Sequence, residues 1–259
     1  MIRIAIANQK GGVGKTTTAI NLATAFAATG WRTLLIDLDP QGNASTGVGV
    51  GPAGRDYTSY DLLVGDSTLA ECTVPTTIPN LSLVPATVDL SGAEVELVSV
   101  DSRTDRLRKA LSKGGEAHDI CFIDCPPSLG LLTLNALTAA DTVLVPLQCE
   151  FFALEGLSQL LQTVERVQQR FNQDLGIIGI ALTMFDRRNR LTDLVSDDVR
   201  SCLGKLVFET AIPRNVRLSE APSHGLPALI YDQHCTGSRS YMALARELIA
   251  RLPENRKAA

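Results

Sequence analysis

Short apolar runs and longer segments with a helical repeat alternate along this chain. Five of the runs are uninterrupted and rich in valine, isoleucine and leucine, which is typical of strands buried on both faces of a parallel sheet. Weaker strands are predicted at 81–85, near Val207, near Ile212 and at 228–231. The five stronger strands are predicted at 2–7, 33–37, 119–124, 142–147 and 176–184.

Between the strands, apolar residues recur every three or four positions, which predicts amphipathic helices. The first helix is predicted to end just before Gly30, because glycine readily adopts the left-handed conformation that terminates helices. The helical segments are 16–29, a short one within 55–65, 92–113 with an irregularity near 99–103, 131–139, 153–171, 192–203 and 238–252.

Strands that alternate with helices predict an α/β fold, with a doubly wound, mostly parallel sheet flanked by helices on both faces. The chain has 259 residues, enough for one domain with a large core, and its sequence contains no internal repeat or linker. We therefore interpret residues 1–259 as a single domain with a disordered tail at 253–259.

The sharpest chemical signal is the segment KGGVGKTTT at 10–18, directly after the first strand and directly before the first helix. Its glycines allow a tight turn that presents backbone N–H groups to phosphate oxygens, and the helix N-terminus adds the positive end of its dipole. Lys15 can reach the terminal phosphates, and the Thr16 hydroxyl can bind Mg²⁺. The usual phosphate-loop pattern has glycine where this chain has Gln9, and a second lysine, Lys10, is present instead.

Three carboxylates lie at the carboxyl ends of predicted strands, which is where ligands bind in doubly wound sheets. Asp37 and Asp39 are two residues apart, so they point to the same side if the second strand continues through Leu38. Asp124 ends the strand DICFID, in the position of an aspartate that supports Mg²⁺. We interpret Asp39 and Asp124 as site residues, and Asp37 as a residue that orients the Mg²⁺ shell or the loop.

The composition excludes several classes of protein. With 45% apolar and 20% charged residues the chain is neither disordered nor fibrous, and no apolar run is long enough to span a membrane. The six cysteines include no CxxC pair, so we interpret them as reduced thiols that fill the core. The formal net charge is −4, but residues 1–184 carry 12 basic and 19 acidic side chains, whereas 185–259 carry 12 basic and 9 acidic. A polyanion should therefore bind the C-terminal third.

Five segments resemble the ParA/Soj family of chromosome-partitioning ATPases, which belongs to the deviant-Walker, MinD-like class of P-loop NTPases. The resemblance extends from about residue 2 to residue 251, with gaps in 50–118. The first segment indicates the class, and the last two narrow it to the partitioning branch. The segments are KGGVGKTTT at 10–18, DLDPQGN at 37–43, DCPPSLG at 124–130, LQCEFFALEGL at 147–157 and IPRNVRLSEAPSHG at 212–225.

The resemblance implies an ATPase in which two ATP-loaded copies of the chain close face to face around both nucleotides. Lys10 would then reach the partner's phosphates, as a cation supplied in trans. Asp39 would position the attacking water, and Asp124 would support Mg²⁺ through its water shell. The implied catalytic residues are Lys10, Lys15 and Asp39, and the implied metal-binding residues are Thr16, Asp39 and Asp124. The implied nucleotide-binding residues are Lys10, Gly11, Gly12, Val13, Gly14, Lys15, Thr16, Thr17, Met184, Pro213 and Asn215.

The resemblance also implies sequence-independent binding of double-stranded DNA through a basic surface. Three or four phosphate contacts per copy bind DNA weakly, but a dimer presents two such surfaces, which raises avidity by roughly 10²–10⁴. ATP would thus switch DNA binding, and a centromere-bound ParB-type partner would stimulate slow hydrolysis. The expected location is the cytoplasm, on the nucleoid, where the protein would segregate chromosome or plasmid origins. The candidate DNA-binding residues are Arg187, Arg188, Arg190, Arg200, Lys205 and Arg217.

Three other functions remain open on the same fold. A MinD-like, membrane-associated division-site ATPase needs a terminal helix that lies on lipid. The last predicted helix does have an apolar stripe, but Pro253 and the polar tail ENRKAA follow it, so we expect no membrane partner. A protein like the nitrogenase iron protein needs cysteines that bridge a cluster between subunits, and the sequence has no suitable pair. A metabolic ligase is the remaining alternative.

Overall fold

The computed structural model describes residues 1–186 and 188–253. Seven strands of these residues form one sheet, and every neighbouring pair is parallel except the antiparallel pair at one edge. The strands are β1 (Ile2–Ile6), β2 (Thr33–Asp37), β3 (Val74–Pro75), β4 (Leu81–Val84), β5 (Ile120–Asp124), β6 (Thr142–Gln148) and β7 (Gly176–Thr183). Their order is β3-β4-β2-β5-β1-β6-β7, which confirms the predicted, mostly parallel α/β sheet.

Helices connect these strands along the described residues. The α-helices are α1 (Lys15–Ala28), α2 (Asn43–Gly47), α3 (Ser59–Val64), α4 (Leu69–Cys72), α5 (Leu90–Glu96), α6 (Arg106–Gly114), α7 (Leu131–Ala139), α8 (Ala153–Arg170), α9 (Arg190–Leu203), α10 (Val216–Glu220), α11 (Ala228–Tyr231) and α12 (Thr236–Arg251). Single 3₁₀ turns lie at Pro52–Gly54, Leu97–Ser99, Gly115–Ala117, Gly204–Leu206 and Ala221–His224. The turn at Leu97–Ser99 interrupts the segment 92–113 where an irregularity was predicted.

Helices cover both faces of the sheet, because its strands are apolar on both sides. One buried cluster joins the sheet to α1 and α12, with Phe26 and Leu244 among its members. The other cluster joins the opposite face to α3 and α5 through α9, with Leu63 and Leu160 among its members. The predicted doubly wound arrangement is therefore confirmed.

The strand order brings the predicted site residues to one edge. β1 lies between β5 and β6, and β2 lies beyond β5, so the chain winds first to one side of β1 and later to the other. In such sheets the ligand crevice lies beyond the carboxyl ends of the strands, at this change of direction. In the strand register Asp124 is opposite both Ile6 and Asp37, so the loop after β1 and the ends of β2 and β5 are neighbours.

Some of the shorter elements were predicted wrongly. Residues 228–231 form the helical turn α11 and not a strand, and a four-residue apolar run has no readable period that would distinguish the two. Near Val207 and Ile212 the chain makes isolated bridges, Ile180 with Val207 and Phe185 with Pro213, and no strand forms. A proline lacks the N–H that a longer ladder would need.

Candidate functional site

The segment between β1 and α1 forms a loop whose conformation depends on glycine. Gly12 and Gly14 have φ angles of 74° and 85°, in the left-handed region that residues with a Cβ rarely adopt. Gly14 is the N-cap residue of α1, and open space surrounds the position of a Cβ at Gly11. The predicted order of strand, glycine loop and helix is therefore confirmed. The unpaired N–H groups of the first helical turn lie at the carboxyl edge of the sheet, where an anion can bind them.

The two lysines of this loop lie in different surroundings. Lys15 is 6% exposed, and its Nζ donates a 2.9 Å hydrogen bond to the carbonyl oxygen of Lys10. Burial lowers the pKa of Lys15, and the nearby charge of Asp124 opposes that shift. The side chain of Lys10 extends to the surface, where its ammonium pairs with the carboxylate of Glu150, just after β6. The loop thus offers one cation to its own cavity and one at the protein surface.

Two of the three predicted carboxylates are completely buried. Asp37 and Asp124 end adjacent strands and are register partners, and each is 0% exposed. Burial, followed by the charge of Asp37, raises the pKa of Asp124 well above its usual value. Burial also raises the pKa of Asp37 to about 6, although hydrogen bonds from Ser45 favour its ionised form. A cation close to this pair would be strongly attracted.

Neither carboxylate oxygen of Asp124 has a hydrogen bond of normal geometry among the described residues, although the Thr16 hydroxyl lies close enough to oppose the rise in its pKa. A buried carboxylate without partners is destabilising, and a bound cation removes that penalty. The half-buried Thr16 at the start of α1 supplies a second oxygen ligand at the same edge of the sheet. Carboxylate and hydroxyl oxygens are what Mg²⁺ prefers, so these residues fit a bound Mg²⁺.

Asp37 contacts the backbone that carries Asp39. Its Oδ1 accepts a 3.1 Å hydrogen bond from Asp39 N, and its Oδ2 accepts hydrogen bonds of 2.8 and 2.7 Å from N and Oγ of Ser45. Asp39 is half-buried and lines a cavity of about 270 Å³ together with the glycine loop, Asn43 and Pro127. Asp39 is therefore the predicted carboxylate that faces the cavity beside the loop.

A second cavity, of about 470 Å³, opens beside the first. Both cavities are lined by Gly14, Thr17 and Met184, so one elongated ligand can occupy the two together. The predicted residues Pro213 and Asn215 line the larger cavity. Sequence reasoning missed several other lining residues. Thr183 and Tyr241 lie outside every motif, and Ile212 and Leu218 are apolar residues within the segment 212–225 that carry no chemical signal of their own.

Met184 and Asn215, two of the predicted lining residues, differ in how they are held: Met184 has an unusual backbone conformation, and the side chain of Asn215 is fixed by hydrogen bonds. Met184 has a φ of 49°, which is rare for a residue with a side chain and points to a functional constraint at the junction of the cavities. The amide of Asn215 accepts a 2.8 Å hydrogen bond from Arg217 N as the N-cap of α10, and donates a 2.8 Å hydrogen bond to Thr236 Oγ1. Asn215 therefore shapes the wall of the cavity through its side chain.

The predicted DNA-binding residues are distributed over several elements. Arg188 pairs with Asp186, and Arg217 pairs with Glu220 and lies 3.6 Å from Asp232. Arg188 and Arg190 lie at or before the start of α9, whereas Arg200 and Lys205 lie at its far end, about 20 Å away along a 14-residue helix. Arg200 donates hydrogen bonds to the carbonyl oxygens of Phe208 and Glu209. Arg190 and Lys205 are exposed and form no ion pair with any described residue, and Arg187 lies outside the described residues.

Two exposed phenylalanines follow Glu150, the residue whose carboxylate pairs with Lys10. Phe151 and Phe152 are 76% and 65% exposed, and their rings meet edge to face with centroids 5.1 Å apart. They follow Glu150 directly, at the carboxyl edge of the sheet. Two adjacent phenylalanines after a buried strand are the sequence signal that could have identified this surface, because large apolar side chains rarely stand exposed together.

Within residues 1–186 and 188–253, no helix is both long enough and apolar enough to cross a bilayer. The stripe of α12 that a MinD-like function would place on lipid is buried against the sheet, with Leu244 and Leu248 both 0% exposed. The predicted tail lies almost wholly outside the described residues, which end at Pro253.

Comparisons with known proteins agree with this geometry. Residues 1–177 match the family model described as an AAA domain. The chain is 57% identical over 250 residues to the chromosome partitioning protein ParA of Caulobacter vibrioides, covering 96% of this chain and 94% of that one. It is 53% identical over 247 residues to the sporulation initiation inhibitor protein Soj of Bacillus subtilis, covering 95% and 98%. Among solved structures, it resembles cobyrinic acid a,c-diamide synthase from Mycobacterium smegmatis with bound ADP and magnesium, at 38% identity and a TM-score of 0.85, covering 99% and 98%.

Proposed function

The chain belongs to the ParA/Soj family of chromosome-partitioning ATPases, and from that premise we propose that it is an ATP-dependent switch that moves DNA. In this proposal, Mg²⁺ and ATP bind at the carboxyl edge of the sheet. Two loaded copies form a dimer that holds double-stranded DNA without sequence preference. A centromere-bound ParB-type partner stimulates hydrolysis and release, which segregates chromosome or plasmid origins on the nucleoid.

One observation carries this proposal. The glycine loop and the buried Lys15 lie beside Asp124, which is completely buried and has no hydrogen bond of normal geometry among the described residues. An apolar core does not need a lysine and two carboxylates at 0–6% exposure, so their burial calls for a charged ligand. A nucleoside triphosphate with Mg²⁺ supplies both missing charges, because the phosphates are anionic and the metal is cationic.

The residues divide the work at the phosphates. The N–H groups of residues 11–16 bind the phosphate oxygens, and Lys15 neutralises charge that builds up as the terminal phosphoryl group leaves. Thr16 and Asp124 hold Mg²⁺, which neutralises phosphate charge when bound. Asp39 faces the same cavity and positions the attacking water. The base occupies the larger cavity between Met184 and Pro213.

Lys10 explains why the nucleotide also controls assembly. Its ammonium lies at the surface and pairs with Glu150 of its own chain. On dimerisation it exchanges that carboxylate for the phosphates of the facing copy, so that ATP completes each site only when two copies meet. The exposed Phe151 and Phe152 lie beside it and lose their contact with water in the same step.

The DNA contacts come from a small number of basic residues. Arg190 and Lys205 can contact DNA phosphates without first breaking an ion pair to a described residue. Arg188, Arg200 and Arg217 already form ion pairs or hydrogen bonds within the chain. Few contacts per copy give weak and salt-sensitive binding, and pairing two surfaces raises avidity by roughly 10²–10⁴. The nucleotide state therefore switches DNA binding without creating a new contact surface.

The test combines sizing with DNA binding in Mg²⁺ buffer. We expect a monomer without nucleotide and with ADP, a dimer with a non-hydrolysable ATP analogue, and DNA binding by the dimer alone. Binding should weaken steeply with salt and should not depend on DNA sequence. Arg190→Glu and Lys205→Glu should weaken DNA binding and leave dimerisation intact, and the exposed Lys113→Glu on α6 is the matched charge reversal.

Equal DNA affinity in all nucleotide states would contradict the switch. Loss of DNA binding in the Lys113 variant to the same extent as in the Arg190 variant would show that overall charge, and no particular surface, drives binding. Addition of a cognate ParB-type protein should raise the hydrolysis rate, and an unchanged rate would remove that partner from the proposal.

Two alternative functions can be tested separately. A MinD-like membrane role is tested by sedimentation with anionic liposomes and ATP, where we expect no binding because the apolar stripe of α12 is buried. The 38% identity to a cobyrinic acid a,c-diamide synthase favours an amide-forming enzyme. ATP-dependent conversion of cobyrinic acid by this chain would support that function, and the higher identity to partitioning proteins is why we expect none.

A further inference from the structure

A buried hydroxyl lies beneath the glycine loop. Thr183 ends β7 and is 2% exposed, and its Oγ1 donates a 2.8 Å hydrogen bond to the carbonyl oxygen of Val13. The two residues are 170 positions apart in the chain, so this bond joins the loop after β1 to the edge strand β7. No sequence motif contains Thr183, and the proposed chemistry does not use it.

The bond determines the direction of a donor group. A trans peptide is planar, and its C=O and N–H point to opposite sides. Because the carbonyl of Val13 points toward Thr183, the N–H of Gly14 in the same peptide unit points the opposite way, away from Thr183. Gly14 has a φ of 85° and lines both cavities, so its peptide could rotate easily without this restraint.

The same strand end also holds the wall of the larger cavity. Ile212 N donates a 2.8 Å hydrogen bond to the carbonyl oxygen of Leu182, and Phe185 N donates a 2.9 Å hydrogen bond to the carbonyl oxygen of Ile212. Between them lie Thr183 and the left-handed Met184. One short stretch, 182–185, therefore fixes the segment that lines the base cavity and the loop that faces the phosphates.

We propose that Thr183 is a positioning residue for nucleotide binding, which holds the Val13–Gly14 peptide with its N–H toward the phosphates before the ligand arrives. This inference rests on the proposed function for its ligand, an adenine nucleotide. Without the hydroxyl, the buried carbonyl of Val13 has no partner and the peptide rotates to find one. The fraction of molecules with a binding-competent loop falls, and the apparent affinity falls by the same factor.

The experiment compares isosteric variants by titration with a fluorescent ATP analogue in Mg²⁺ buffer. Thr183→Val keeps the shape and removes the hydroxyl, and we expect about tenfold weaker binding. Thr183→Ser keeps the hydroxyl and should bind within about twofold of the original chain. The matched control is Thr138→Val on α7, because Thr138 is 1% exposed and its hydroxyl has no partner among the described residues.

A second measurement needs no nucleotide. Amide hydrogen exchange and the NMR shift of the Gly14 N–H report the loop directly in the ligand-free protein. We expect both to change in Thr183→Val and to remain unchanged in Thr183→Ser and Thr138→Val. If the original chain binds no ATP, the proposed function fails, while the Gly14 amide still decides whether Thr183 holds the loop.

Three results would overturn the inference. One is ATP affinity in Thr183→Val equal to that of the original chain, and another is an unchanged Gly14 amide in that variant. The third is equal weakening in Thr183→Ser, which would assign the effect to the lost methyl group. If Thr183→Val does not fold, Thr183→Ala with the serine variant as its reference makes the same comparison.

Discussion

The phosphate end and the base end of the candidate site are built in different ways. The phosphate end is one continuous segment, 10–17, that runs from loop to helix and carries its own lysines and hydroxyls. The base end is assembled from Met184 after β7, from 212–215, and from Tyr241 of α12. Charge and glycine geometry define the first, whereas packing and long-range hydrogen bonds define the second.

This difference predicts how each end responds to substitution. A change at the phosphate end removes a charge or a donor that no other residue can replace. A change at the base end alters the shape of a wall that several segments support, so its effect is smaller. Inorganic tripolyphosphate separates the two, because it can bind the phosphate end and has no base.

The largest effect is expected for Lys15→Ala. A mostly buried ammonium beside the phosphates is lost, and no other described cation of the same chain lies within this cavity. We expect at least about 100-fold weaker binding of both ATP and tripolyphosphate, by calorimetry. Lys113→Ala on the exposed side of α6 should bind normally. Unchanged ATP affinity in Lys15→Ala would remove the assignment of the loop.

The second effect is expected for Asp39→Ala, and it falls on the rate and not on affinity. Asp39 faces the cavity, and we assign it to the attacking water, so ATP should bind within about threefold of normal while turnover falls about 100-fold. Rates of phosphate release with and without DNA measure this, and the exposed Asp66→Ala is the control. Loss of ATP binding in Asp39→Ala would give this residue a structural role.

The third effect is the pH dependence of the free energy of unfolding, measured in the absence of nucleotide and Mg²⁺. Burial raises the pKa of Asp37 to about 6 and that of Asp124 well above its usual value, so the folded state binds more protons than the unfolded state. Stability must therefore fall as pH rises from about 4 through these raised pKa values. Each tenfold increase in the proton affinity of a carboxylate on folding corresponds to about 1.4 kcal/mol of this loss. Among the described residues, the lining of the base cavity includes no carboxylate.

Thermal unfolding of Asp124→Asn tests this prediction. We expect the variant to be more stable than the original chain at pH 7, and its free energy of unfolding to depend less on pH. Mg²⁺ with ATP should stabilise the original chain and not the variant. Asp186→Asn should instead lower the stability at pH 7, because hydrogen bonds from Arg188 lower the pKa of Asp186 to about 2 and so favour its ionised form in the folded state. A parallel pH dependence for Asp124→Asn and the original chain would contradict the raised pKa.

The smallest effect is expected at the base end. Asn215→Ala removes the N-cap of α10 and the hydrogen bond to Thr236, which should lower stability by about 1 kcal/mol. ATP affinity should fall by about threefold to tenfold as the wall relaxes, while tripolyphosphate affinity stays unchanged. Equal losses for both ligands would mean that the two ends are not independent.

The alternation of strands and helices, the doubly wound sheet and the phosphate loop could all be predicted. Buried parallel strands are continuous apolar runs, and a loop that needs glycine at defined positions carries that need in its residues, so both signals are local. The short elements could not be predicted. The bridges at Val207 and Pro213 depend on partners that are distant in sequence, and the turn α11 is too short for its apolar residues to show a period.

The candidate site divides in the same way. Lys10, Lys15 and Thr16 form one motif, and Asp39 and Asp124 follow strands, so their common edge could be inferred from strand order. Thr183 and Tyr241 carry no motif, because their positions come from the contact of β7 with the glycine loop and of α12 with α1. The contact of Arg217 with Asp232 likewise depends on a side chain from outside α10.

By itself, the sequence determined that this chain folds as an α/β sheet with a phosphate-binding loop after its first strand, since local periodicity and glycine placement specify both. The tertiary structure decided which charged groups are buried, which basic side chains already form ion pairs, and which residues line the larger cavity. Those properties depend on groups far apart in the chain that become neighbours only when the strands pair. The free energy of a buried charge is set by such neighbours, and not by the residues on either side of it.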